Sequence, residues 1–408
     1  MRRRPQQSTA AARAGLGLDR TGSGEDLVAP LTLSSVRAYR DIGAVDAGMD
    51  MRESYRRYGG GTPALLEEAL AGLETPEGGD VPVTRCTSSG QAALLLATVL
   101  LASEKRRRIV VVRPCYGGTE GLLTGPMAGL GVEVTLVDLP VGDAVDHGAL
   151  VSGSLGEDVA AVTTEVITNP LMNVVDVPAV AAAAHAMGAA CLVDATLATP
   201  LLFQPFAHGA DAVFHSLTKH LSGHSDVLGG ALLVDPRHPA SDWLDAFARL
   251  VGCNLSPFDA WMTLRGVRTA GLRVERSSQN AAALAAWFAD RDEVAAVHYP
   301  GRHGDAEERL AVRLLPLGRG PMLSVELKGG RSSVDAFARA LPGVRLAPSL
   351  GDVATTISYP ALTSHRALSR EQREALGITD GLVRISAGIE SLDDLRAEFG
   401  EALATTRH

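Results

Sequence analysis

Lysine is nearly absent from this chain. Among 408 residues it occurs only as Lys105, Lys219 and Lys328, although lysine and arginine together number 38. A function that needs an amine able to lose its proton therefore has three candidate positions. Cysteine is scarce too: Cys86, Cys115, Cys191 and Cys253 lie far apart and form no Cys-x-x-Cys pair. That excludes a disulfide scaffold, and the four read as reduced, packed thiols in a cytoplasmic protein. Positive charge is in deficit, with a net charge of -9, which argues against a nucleic-acid partner. The runs "MRRR" and "EKRRR" read as solvated surface. No apolar run reaches the roughly 18 residues of a membrane span. The N-terminal arginines precede no apolar stretch, so no secretory signal is expected. Against these absences, 46% of the residues are hydrophobic, enough for a sizeable core and two or three domains.

Residues 1–61 are rich in Arg, Gly and Ser, lack periodicity, and read as an N-terminal arm that is extended rather than packed. From residue 62 the pattern alternates. "TPALLEEALAGLE" has helical spacing, with Thr62 as its cap and Pro63 at the first helical position. "GQAALLLATVLLA" reads as a buried helix. "RIVVV", "VEVTLV", "VAAVTTE" and "ACLVDAT" read as strands, each followed by turn or helix signals. Strands alternating with helices predict a mostly parallel sheet flanked by helices, the α/β class, over residues 62–255. Residues 256–408, where "SSQNAAALAAWFADR" alternates with isolated strands such as "MLSVELKG" and "LVRISAG", read as a smaller α+β domain.

Lys105 stands in a charged run and Lys328 in a turn, but Lys219 follows the apolar "DAVF" among small polar residues. A desolvated lysine can lose its proton and attack a carbonyl; arginine cannot. Ser216 and Thr218 set two hydroxyls beside it, suited to a phosphate. Asp194 ends a buried strand, with Thr196 just beyond, where ligands of open α/β sheets bind. Pyridoxal phosphate needs such a set: a lysine for its aldehyde, an acid for its ring nitrogen and donors for its phosphate. Ser89, Gly90 and Gln91 lie where a strand meets a helix whose first amides favour an anion; a plain helix cap is the simpler reading of that motif alone. Tyr116, in "CYGGT", stands on a turn from which its ring could stack on a cofactor. His215, His220 and His224 are close in sequence, but no Cys or carboxylate completes a metal-ligand spacing, so no metal is expected.

In combination, "SLTKHLSGHSDVLGG", "YGGT", "TNPLMNVVD", "VDATLATP", "SPFDAWMTLRGVRT", "SLGD" and "LVRISAGIE" resemble the Cys/Met-metabolism family of pyridoxal-phosphate enzymes, which includes cystathionine γ-synthase, the cystathionine lyases, methionine γ-lyase and O-acetylhomoserine sulfhydrylase. The resemblance runs from about Tyr55 to the C-terminus. It implies fold type I, with Lys219 holding the cofactor as a Schiff base and Asp194 on the pyridine nitrogen. By the same resemblance Tyr116 would stack on the ring and help protonate the leaving group. Gly90, Gln91, Ser216 and Thr218 would hold the phosphate, and Asn169 would meet the ring hydroxyl. Ser349 and Arg384 would bind the substrate's α-carboxylate. Tyr55 and Arg57 match a Tyr-x-Arg motif that reaches a neighbouring subunit's phosphate, which implies a homodimer or homotetramer with shared sites. The family's following Asn-Pro-Thr is here Gly60, Gly61 and Thr62, so a proline's fixed φ is lost in that loop.

The implied chemistry is γ-elimination or γ-replacement through a vinylglycine-like intermediate. The positions at which relatives read a distal charge are Ser54, Gly121 and Ala354 here, all small. Methionine γ-lyase carries a cysteine where this chain has Gly118. Glu120 reads as the one new charge near the site mouth. It predicts a neutral or cationic side chain on the substrate, S-adenosylmethionine being one candidate. An ordinary β- or γ-lyase or a sulfhydrylase of primary metabolism, and a non-catalytic binding protein, are the alternatives; the intact Lys219, Asp194 and Arg384 count against the last.

Overall fold

The computed structural model describes residues 6–16, 27–50, 54–140 and 146–406. Seven strands form the larger sheet: β1 (Val83–Thr87), β2 (Arg108–Arg113), β3 (Glu133–Asp138), β4 (Val159–Glu165), β5 (Ala190–Asp194), β6 (Ala212–Ser216) and β7 (Gly230–Val234). Their order is β1-β7-β6-β5-β4-β2-β3, and β7 alone runs against its neighbours. Every residue of β4 is buried, as a parallel strand covered on both faces requires. The register sets Glu165 beside Asp194 and Asp194 beside Phe214. The carboxyl ends of β4, β5 and β6 thereby bring Glu165, Asp194 and Ser216 to one edge, where open α/β sheets bind ligands.

Five further strands make a second sheet: β8 (Val294–His298), β9 (Met322–Leu327), β10 (Arg345–Leu346), β11 (Thr356–Ser358) and β12 (Leu382–Ser386). Their order is β10-β11-β12-β9-β8. The chain is thus fold type I, a mostly parallel sheet flanked by helices with a smaller α+β sheet unit. A helix of 33 residues, Pro257–Ala289, spans both units. Its first half packs Leu264 and Val267 with Leu66 and Leu70, and its second half packs Leu284 and Phe288 under the small sheet. There Phe288, Phe337 and Phe399 form one aromatic cluster, with ring centroids 5.2 Å and 6.0 Å apart for the two pairs that share Phe399. Removing any of these rings costs about 3–5 kcal/mol, so the cluster anchors the strand that carries Arg384.

Two local expectations need correction. Part of the arm is packed: Gln7–Ala12 is a helix, and Ala11 is buried against the long helix. Small alanine side chains allow that close approach. The helix expected to start at Thr62 spans Gly61–Glu74 with Gly60 at its cap, so Thr62 does not cap it. The Thr62 hydroxyl instead donates to Pro30 O at 2.7 Å and accepts from Thr32 N at 3.0 Å, tying the arm down.

Candidate active site

β1 ends at Thr87, and the helix Gly90–Leu101 starts three residues later. Ser89 caps it, its hydroxyl accepting from Ala92 N at 3.1 Å. The amides of Gly90 and Gln91 stay at the open end of the helix, which favours an anion. A Cβ on Gly90 would come within 3.0 Å of the Ser216 Cβ, so the glycine lets the helix start meet the β6 end closely. Ser216 N donates to Thr196 Oγ1 at 2.9 Å, and the Thr218 hydroxyl is held in the backbone of Gly229. Gln91 Oε1 is buried with no partner.

Lys219 follows β6 by three residues. Its Nζ donates to Ser349 Oγ at 2.9 Å. Burial, and then the Arg384 charge, lower the amine to about 8. Arg384, on β12, is buried; Nη1 donates to Asn169 Oδ1 at 3.0 Å and Nη2 to Ser349 O at 3.1 Å. The two sheets therefore meet here, Asn169 and Lys219 from one and Ser349 and Arg384 from the other. All four line one cavity of about 360 Å³ with Tyr116, Asp194, Thr196, Ser216, Thr218 and the 89–91 turn.

Asp194 accepts from Thr196 N at 2.9 Å. Burial raises its carboxyl above the usual range. Glu165, absent from the sequence reading, stands beside it. One of its oxygens accepts from Tyr116 N and the other from Asn169 N, both at 2.7 Å. Burial first, and then the neighbouring Asp194, push Glu165 well up. Two strand-final acids in register were the signal that would have found it. Glu165 also orients both Tyr116 and Asn169 through their backbones.

The remaining candidates lie outside this cavity's lining. Tyr55 is half-exposed, and Arg57 stacks over the rings of Tyr55 and Tyr58 at 5.5 Å and 5.2 Å and donates to Arg249 O. Ala354 is exposed on the loop before β11. Glu120 corrects the sequence reading: it is no free carboxylate at the mouth. Arg113 Nη1, at the end of β2, donates to it at 3.2 Å while also gripping Asp138, because Glu120 lies in the first turn of the short helix Gly117–Leu122 that follows β2. Of the three histidines, His215 is paired with buried Glu74 at 2.6 Å. The described residues hold no cluster of three His, Cys, Asp or Glu arranged for a metal.

The site suits pyridoxal phosphate on grounds of its own. The buried Glu165 and the part-buried Asp194 stand side by side without a full cation partner, which a protonated ring nitrogen would supply. A buried Gln91 oxygen is unpartnered beside a helix start open to an anion. A lysine amine is set near neutrality. The model for Cys/Met metabolism PLP-dependent enzymes matches residues 8–404. The chain belongs to that family. It is 36% identical over 357 residues to a cystathionine γ-lyase of Bacillus subtilis, covering 88% of this chain and 90% of that one. It is 36% identical over 398 residues to an O-succinylhomoserine sulfhydrylase of Pseudomonas aeruginosa, covering 97% and 94%. A solved cystathionine γ-synthase from Xanthomonas oryzae, in complex with aminoacrylate and cysteine, superposes with a TM-score of 0.86 at 34% identity and 98% coverage of both chains. A putative O-acetylhomoserine (thiol)-lyase from Campylobacter jejuni, at 26% identity and TM-score 0.87 over 98% of this chain and 100% of that one, carries pyridoxyl-lysine phosphate. The protein is thus a pyridoxal-phosphate enzyme of the lyase and transferase kind, performing elimination or replacement on amino acids of sulfur metabolism. No described helix is long and apolar enough to cross a membrane.

Proposed function

We propose that the enzyme performs γ-elimination or γ-replacement on an L-amino acid whose γ-substituent, joined through sulfur, is uncharged at its far end. The supporting observation is the charge inventory of the cavity. Among the described residues that line it, the cations are Lys219 and Arg384 and the anions Asp194 and Glu165. Each has a task. Arg384 presents a fork suited to the α-carboxylate, beside Ser349. Lys219 would take the Cα proton, for which an amine near 8 is better poised than an ordinary lysine. Asp194 would hold the ring nitrogen. When bound, pyridoxal phosphate supplies the electron sink at Cα. Asn169, tied to Arg384, would meet the ring hydroxyl, and Tyr116 would pass a proton to the departing group.

No cation is left for a distal carboxylate, and burying one without a partner costs on the order of 2–5 kcal/mol. The rest of the wall is apolar, with Ile167, Leu197 and Leu350, or carries hydroxyls. The preference for a cationic side chain, and with it S-adenosylmethionine, loses its support because Glu120 is engaged by Arg113. Tyr55 and Arg57, outside their own cavity, serve a neighbouring copy's phosphate in this reading, so the working form is a homodimer or homotetramer.

Steady-state kinetics with methionine, O-acetylhomoserine, O-succinylhomoserine, cystathionine and S-adenosylmethionine test the proposal. Neutral side chains should exceed carboxylate-bearing ones in kcat/KM by about 30-fold or more, the lower end of that cost. Glu120→Gln should leave the order unchanged. Efficient turnover of cystathionine would overturn the reading.

A further inference from the structure

The cavity wall facing Tyr116 is closed by Thr363 and Ser364, from the segment between β11 and β12. That segment is pressed onto the tyrosine's turn: a Cβ on Gly117 would lie 1.7 Å from Ser364 O, so only glycine fits there. The next residue, His365, is buried behind the wall. Its two ring nitrogens have different partners. Nε2 lies 3.0 Å from Cys115 O, and Nδ1 lies 2.9 Å from Ser364 Oγ.

These two contacts fix the direction of both hydrogen bonds. A carbonyl oxygen only accepts, so Nε2 carries the proton and donates it to Cys115 O. In the neutral ring Nδ1 is then a bare acceptor, and Ser364 Oγ–H is the donor that satisfies it. The ring stays neutral because burial pushes it down to about 4. The serine proton is thus committed to the ring, and its oxygen keeps only lone pairs. Thr363 behaves alike: its hydroxyl donates to Tyr359 O at 2.8 Å. Two residues of the wall therefore carry hydroxyl oxygens that can accept but not donate.

We propose that Ser364, held by His365, is a specificity-determining hydrogen-bond acceptor for the γ-substituent, selecting a group that carries its own donor, such as a thiol, over a capped one. This rests on the proposed function above and names the substrate class more closely. It also gives a second reason why a distal carboxylate, itself only an acceptor, is disfavoured at this wall.

The test compares homocysteine, whose sulfur carries a proton, with methionine, whose sulfur carries a methyl group. The holoenzyme, Ser364→Ala and Ser364→Thr are each measured by turnover and by titration of the bound cofactor's absorbance band with each amino acid. The proposal expects Ser364→Ala to lower the homocysteine-to-methionine preference roughly two- to fivefold, the value of one weak S–H···O hydrogen bond. Ser364→Thr, which keeps the hydroxyl, should retain it. An unchanged ratio of both kcat/KM and binding constants in Ser364→Ala, with cofactor content intact, overturns the proposal. If the wild type binds both amino acids but turns over neither, the reaction assignment fails, and the binding ratio still decides the role of Ser364.

Discussion

Replacing Arg384 by alanine tests the carboxylate-binding role at the site. Arg384 is 5% exposed, and its neighbours Asn169 and Ser349 take one hydrogen bond from each terminal nitrogen. Burial lowers its pKa to about 10, with Tyr116 and Glu165 acting the other way. A buried cation in that condition gains from an incoming carboxylate, and the fork has donors to spare for one. Truncating one partner of a buried, hydrogen-bonded charge pair costs about 2–5 kcal/mol, which is roughly 30- to 5000-fold in kcat/KM. The α-carboxylate is bound equally in the ground and transition states, so the loss should fall mainly on KM. Arg384→Lys keeps a charge without the fork and should be intermediate. A second effect is expected in the same variant. Arg384 is the charge that, after burial, depresses Lys219, so its removal should shift the acid limb of the kcat profile, which reports the complex in which the lysine amine is free, to higher pH. The assay is a pH series of steady-state kinetics on protein of verified cofactor content. A loaded Arg384→Ala enzyme within about threefold of wild type in KM would refute the reasoning.

Two further outcomes follow from the same geometry. Burial, and then Arg384, hold the Lys219 amine at about 8, below its ordinary 10.5. Between those values the unfolded chain binds more protons than the native one, so this residue's contribution to stability rises with pH across that window. Thermal melting of the cofactor-free protein should show that rise, and Lys219→Ala should lose it; identical pH dependence in the two would contradict the assigned environment. Mixing Arg57→Ala with Lys219→Ala chains should restore activity, because one hybrid site then holds both residues; verified heterodimers without activity would remove Arg57 from a shared site.

The chain segments that build the cavity were legible where a strand end and its following turn are contiguous. Lys219, Ser216 and Thr218 fall within a few residues of β6, and Asp194 and Thr196 straddle the end of β5, so an apolar strand run followed by polar residues was enough. Glu165 ends a strand in the same way, but its role depends on the β4–β5 register, which no local pattern encodes. Glu120 was misread for a related reason. Its charge is visible in sequence, but its pairing with Arg113 requires the short helix Gly117–Leu122 to set it beside the end of β2. The His365 ring is oriented by Cys115 O, 250 positions away, and holds Ser364 in turn, and an unremarkable "TSH" gives no sign of it. The packed helix Gln7–Ala12 was hidden by its shortness, because a single turn and a half of alanine-rich chain takes its stability from the long helix it touches.

The central claim is that pyridoxal phosphate is held covalently by Lys219. The scarcity of lysine makes this directly measurable, because Lys105, Lys219 and Lys328 are the three candidates. Borohydride reduction of the yellow holoenzyme, followed by proteolysis and mass spectrometry, should place the whole pyridoxyl label on the peptide containing Lys219. Label on the peptide of Lys105 or Lys328, or holoenzyme that loses its cofactor on denaturation after reduction, would contradict the account.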